Sequence, residues 1–133
     1  MMATSNIIQT TGRRKTSTAR VRAVPGTGKM RINNRSAEEF FQGHHRQKND
    51  IFKPLQSVKV LENYDIFIKV KGGGVTGQSG AIKLGIARAC KVVSPEAGKI
   101  LRKEGLLTRD PRMVERKKSG QPKARKRFQF SKR

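Results

Sequence analysis

Tyr64-Asp65-Ile66-Phe67-Ile68-Lys69-Val70-Lys71-Gly72-Gly73-Gly74 is the stretch on which the fold turns. Tyr64, Ile66, Ile68 and Val70 fall on one side of an extended chain and Asp65, Phe67, Lys69 and Lys71 on the other, the period-two pattern of a strand with one buried face. The glycines stop it. Beyond them Ile82, Ile86, Ala89, Cys90 and Val93 recur at helical spacing, so Ser79 to Val93 is expected to be an amphipathic helix with Lys83, Arg88 and Lys91 on other faces.

Upstream, Ile7 to Val24 is β-branched and basic, interrupted by Gly12-Arg13-Arg14-Lys15. Ala19, Val21 and Ala23 alternate with Arg20, Arg22 and Val24, which predicts a strand with one basic face. Pro25-Gly26-Thr27-Gly28 reads as a turn. Lys29-Met30-Arg31-Ile32 alternates again, so the two runs are expected to form a hairpin with Met30 and Ile32 inward and Lys29 and Arg31 outward. Ser36 to Phe41 is a short helix capped by Ser36 and ended by Gly43, and a second helical piece is expected from Pro54 to Val60, with the proline near its first turn.

Downstream, Ser94-Pro95-Glu96 starts a further helix, with serine as cap, proline at its first position and an acid in its first turn. It carries Ile100 and Leu101 and ends at Gly105. Beyond Asp110 the apolar periodicity stops. Arg109 to Arg133 holds eleven basic residues against Asp110 and Glu115, and a segment so charged has no core of its own and is expected to be ordered by a polyanion. The chain therefore divides into a globular domain, 1–108, and an extended basic tail, 109–133.

The whole chain of 133 residues carries 31 Lys and Arg against 9 Asp and Glu, a net charge of +22. Self-repulsion at this density opposes compaction unless a partner neutralises it, and phosphate backbone is the commonest such partner. A single Cys90 excludes an internal disulfide and a cysteine-rich zinc site. The N-terminus has no apolar signal core and nothing approaches roughly 18 uninterrupted apolar residues, so a soluble, unprocessed chain without a membrane partner is expected.

Gly72-Gly73-Gly74-Val75-Thr76-Gly77 satisfies the glycine spacing of a dinucleotide fingerprint, with Glu96 about twenty residues on. Glu96, however, opens a helix where that fold needs the end of a second strand, and Gln78 stands where a P-loop requires lysine. What survives is the physics: glycines allow close backbone approach, and free N–H groups gather at a helix N-terminus, which suits a phosphate as well as it suits plain helix-on-strand packing. His44-His45 has no third ligand at metal spacing, and no Ser/His/Asp or Cys/His set is present. No enzymatic role, metal, cofactor or small-molecule substrate is expected, and no homo-oligomer. In the tail, Phe128 and Phe130 interleave with Arg127, Gln129 and Ser131, an arrangement that serves base stacking and protein anchoring equally well.

These motifs have a precedent in combination. Thr11-Gly12-Arg13-Arg14-Lys15-Thr16, the run from Gly72-Gly73-Gly74 through Gly77-Gln78-Ser79-Gly80-Ala81-Ile82, Gly85-Ile86-Ala87-Arg88-Ala89, Leu107-Thr108-Arg109-Asp110 and the ending Phe130-Ser131-Lys132-Arg133 together resemble the bacterial-type family of small ribosomal subunit protein nine, across essentially the whole chain. The resemblance implies an α/β (α+β) two-layer sandwich of the ribosomal S-five domain-two-like type, with a four-stranded sheet packed by helices and an extended basic C-terminal tail. It further implies a βαβ crossover of left hand, where right-handed crossovers are the rule.

The implied partners are 16S rRNA of the subunit head, peptidyl-site tRNA and neighbouring head proteins, on a ribosome of the cytoplasm or of an organelle. The expected rRNA-binding residues are Arg13, Arg14, Lys15, Arg20, Arg22, Lys71, Gly72, Gly73, Gly74 and Gln78 in the body and Arg109, Arg112, Arg116, Lys117, Lys118, Lys123, Arg125, Lys126 and Arg127 in the tail. Ser131, Lys132 and Arg133 are the expected tRNA contacts. The competing classes are a nucleoid-type DNA-binding protein and an RNA-processing enzyme of the same superfold, and neither accounts for the tail ending.

Overall fold

Strand β1 (Ile8–Arg14) turns back into β2 (Ser17–Pro25), and the short strands β3 (Met30–Ile32) and β4 (Arg35–Ser36) follow. Then come helices α1 (Ala37–Phe40) and α2 (His45–Ser57), strand β5 (Tyr64–Lys71) and helices α3 (Val75–Val93) and α4 (Pro95–Lys103). This computed structural model describes residues 7–59 and 61–109. Among the expected contact residues, Arg112, Arg116, Lys117, Lys118, Lys123, Arg125, Lys126, Arg127, Ser131, Lys132 and Arg133 lie outside the described residues, as do Phe128 and Phe130.

The sheet runs in the order β1-β2-β5-β3-β4. It has five strands where four were expected, the extra one being the two-residue β4, too short to leave a period in the sequence. Ala19, Val21 and Ala23 of β2 and Ile66, Ile68 and Val70 of β5 are all buried on the helix side, as the alternation predicts. Helix α3 lies over β1 and β2, with α2 and α4 beside it. Apolar residues around much of its circumference are therefore covered, among them Ala81, Ile82, Ile86, Ala87 and Cys90.

Three expectations need correction. The hairpin is β1–β2, with Gly12 opposite Ala19, and β2 does not pair with β3. Its second edge is taken by β5, antiparallel, with Val21 opposite Ile68, while β3 lies parallel to β5 on that strand's far side. An eight-residue ladder to β5 outweighs the three residues β3 can offer, and Pro25 to Gly28 becomes a crossing over the end of β5. Asp65 holds that crossing, its Oδ1 accepting from the backbone N–H groups of Thr27, Gly28 and Lys29 at 3.0, 3.1 and 3.0 Å. Asn33 continues β3 with its side chain, donating to Val70 O at 3.0 Å and accepting from Val70 N at 2.9 Å.

The second correction concerns α2, which begins nine residues before Pro54 and carries it in the last turn. Its first turns, His45-Arg46-Gln47-Lys48, are polar and show no apolar period, while the Pro54 ring is buried. Burial of Ile51 and Pro54 holds the helix although the proline supplies no N–H. Val60, the expected end of that helix, lies outside the described residues. Third, α3 starts at Val75, four residues before Ser79, because Gly77 and Gly80 pack directly beneath Ser17 and Arg14 and tertiary contact overrides poor helix propensity. The other helix starts stand as read: Ser36 accepts from Glu39 N at 3.2 Å and Ser94 from Ala97 N at 3.4 Å.

Candidate nucleic-acid interface

The β1–β2 turn is built to sit against α3. Gly12 meets the helix so closely that a Cβ there would lie 1.9 Å from Ala81 O and 2.5 Å from Gly85 N, so only glycine permits the approach. Two bonds hold the strand down: Thr10 Oγ1 donates to Gly85 O at 2.7 Å, and Arg88 Nη1 to Thr11 O at 2.5 Å. Arg88 is thus committed to the fold. The turn itself presents Arg13 and Lys15 to solvent, Lys15 in the left-handed region at φ 54°, while the half-buried Arg14 runs across Gly80.

The glycine loop docks on the same turn. Gly72 and Gly73 have φ of 82° and 67°, a region open to glycine at little cost. Ser17 Oγ donates to Gly72 O at 2.8 Å, and Gln78 Nε2 reaches the same carbonyl at 3.2 Å. Gln78 therefore braces the loop. Gly74 caps α3 without a side-chain bond and no acid occupies the first turn of the helix, so its first N–H groups form an electropositive end just after the loop that packs on Thr16. No strand follows α3 among the described residues and Glu96 is exposed in the first turn of α4, which removes the dinucleotide reading.

The strand register sorts the remaining cations. Residues opposite one another across a sheet share a face, so the face away from the helices carries Arg13, Thr18 and Lys71 in one row and Thr11, Arg20 and Lys69 in the next. A third row holds Gln9, Arg22, Phe67 and Arg31. Among the described residues none of these cations is in a salt bridge; the bridges there are Lys48 to Glu38 and Lys53 to Asp50. Among the described strand residues the one carboxylate on this face is Asp65. The N–H groups of Lys29, Thr27 and Gly28 hold it below its usual range, Lys29 foremost, against the opposing effect of desolvation.

A basic concavity of about 190 Å³ lies between the turn and α3 and is lined by Arg13, Arg14, Lys83 and Thr108 among others. Exposed Arg109 follows Thr108 at the end of the described chain. Lys83, Lys69 and Arg31 are thus added to the expected set. For Lys69 and Arg31 the strand alternation already carried the signal; for Lys83 nothing in the sequence said that β1 would face that side of α3. Cys90, fully buried, has its thiol pushed up to about 12 by desolvation, which leaves it protonated and unreactive.

Comparison with known proteins gives the family. A family model described as ribosomal protein S9/S16 matches residues 12–133. The chain belongs to the ribosomal protein S9/S16 family. A relative from Chlorobium phaeobacteroides named small ribosomal subunit protein uS9 is 54% identical over 127 residues, covering 96% of this chain and 98% of the relative. Proteins of the same name from an Anaeromyxobacter species and from Mycobacterium bovis are 52% and 55% identical, over 93% and 95% of this chain and 95% and 83% of their own lengths. As an S9/S16 protein the chain is a structural ribosomal protein and not an enzyme.

Proposed function

We propose that this S9/S16 protein is a structural component of the small ribosomal subunit, whose body, 1–108, binds 16S rRNA in the subunit head and whose tail, 109–133, reaches peptidyl-site tRNA. The observation that carries the reading is the register that gathers Arg13, Arg20, Arg22 and Lys71 on one open sheet face beside Arg14 and Lys15. Cations so placed suit phosphates, while the backbone N–H groups after Gly72-Gly73-Gly74 add an anion-binding end. Family membership supports the ribosomal partner, and the names of the relatives support the small subunit. In the tail, Arg109, Arg112, Arg116, Lys117, Lys118, Lys123, Arg125, Lys126 and Arg127 neutralise phosphates collectively, and Ser131, Lys132 and Arg133 make the tRNA contact.

Reconstitution of small subunits tests both halves. Binding of the full chain to the 16S 3′ major domain should weaken steeply with salt, because each phosphate neutralised releases counterions; a flat response would remove the cations from the contact set. Deleting Ser131 to Arg133 should leave assembly intact and lower peptidyl-site tRNA affinity, and unchanged affinity would refute the tail assignment.

A further inference from the structure

We propose that Phe67 is a stacking platform, and that the open sheet face receives a single-stranded RNA segment with one unpaired base laid on its ring. The inference rests on the RNA-binding reading above and specifies the ligand of that face. Phe67 is 44% exposed, and one exposed aromatic is by itself unremarkable on a protein surface. Its neighbours make the difference. It stands on β5, the middle strand of the sheet, with Arg22 directly opposite on β2 and Arg31 directly opposite on β3. Cross-strand partners have Cβ atoms about 5 Å apart, so Arg22 and Arg31, both exposed, rise from the strands on either side of Phe67 on the solvent face of the sheet.

Arg20 and Lys69 form the next row, and past them a depression of about 310 Å³ is lined by Thr18, Arg20, Lys69, Lys71, Asn33 and Asn34. Its floor is firm, since the Asn33 amide is bonded in both directions to the Val70 backbone. Asp65, two residues from Phe67 on the same face of β5, has Oδ1 engaged by three backbone N–H groups. An exposed aromatic ring on a strand between two arginine-bearing strands fits a ligand with a π-face and an anion on either side of it. Unpaired nucleotides have both. Duplex RNA hides its base faces, and an acidic peptide brings charge without the regular pairing of ring and phosphate.

The chain has no tryptophan, so Phe67→Trp places a single reporter on the platform. With the full-length variant, adding a short oligouridylate should quench tryptophan fluorescence, and a sugar–phosphate strand of equal length lacking bases should not. Phe67→Leu, which keeps apolar bulk without the π-face, should weaken oligouridylate binding about tenfold and leave abasic-strand binding unchanged. No quenching, or equal affinity for both strands in Phe67→Leu and parent, would overturn the platform while leaving salt-dependent rRNA binding standing. Loss of all binding to the 3′ major domain by the parent chain would instead overturn the underlying reading. In assembled subunits a photoreactive phenylalanine analogue at position 67 should cross-link to RNA; a cross-link to a neighbouring protein would assign the face to that protein and refute the proposal.

Discussion

Gly12→Ala puts the strand–helix contact under direct test. The new Cβ would lie 1.9 Å from Ala81 O and 2.5 Å from Gly85 N, where an ordinary van der Waals approach is about 3.5 Å or more. Both atoms are backbone of the buried helix α3, so no side chain can swing aside. Strand β1 must lift by more than an ångström, which also stretches the bonds from Thr10 to Gly85 O and from Arg88 to Thr11 O. Overpacking costs about 1–3 kcal/mol and each bond about 1 kcal/mol, so the substitution should cost about 3–5 kcal/mol, a large part of the stability of a small domain. Urea denaturation of the full chain, followed by far-ultraviolet circular dichroism in high salt, measures this as a lowered midpoint at unchanged slope. Gly74→Ala is the control: its Cβ would meet nothing within 4 Å, and the cost should stay within about 1 kcal/mol. A loss below about 1 kcal/mol for Gly12→Ala would refute the close-approach argument.

Acid should expose the role of Asp65. Its carboxyl is held below the ordinary value of 3.8 by the N–H groups of Lys29, Thr27 and Gly28, so its stabilisation is complete above that value and fades as pH falls through the lowered one. Asp65→Asn should therefore lose less stability than the parent between pH 7 and pH 3, and parallel curves in urea titrations at the two pH values would contradict the assignment. The Cys90 thiol, raised to about 12 by burial, should resist a disulfide reagent at pH 8 in the native chain and react at an ordinary rate once urea unfolds it. Prompt labelling of the folded chain would show that the α3 core opens far more readily than its burial implies.

The facing of the long strands could be read in advance. The alternation in Tyr64 to Lys71 assigned every side chain of β5 to its correct face, and the same rule put Ala19, Val21 and Ala23 inward and Arg20 and Arg22 outward. The caps at Ser36 and Ser94 were legible because N-cap chemistry is local. Partners were not, since alternation says which face a residue takes and nothing about the strand beside it. The β2–β3 hairpin was a reasonable reading of Pro25-Gly26-Thr27-Gly28; what defeats it is the longer ladder between β2 and β5, and Asp65, almost forty residues away, then holds the crossing through three of its N–H groups.

The sequence by itself determined the charge, the faces of the long strands, the amphipathic stretch within α3 and, through several motifs in order, the family. All of these depend on neighbours within a few residues or on sums over the chain. Only the tertiary structure decided that β5 lies between β2 and β3, and thereby that Arg22 and Arg31 flank Phe67. The physical reason is that strand order is settled by competition among whole ladders for a limited number of edges. An eight-residue pairing between β2 and β5, closed over a helix layer that admits β1 only at glycine, wins that competition over the nearer but shorter β3.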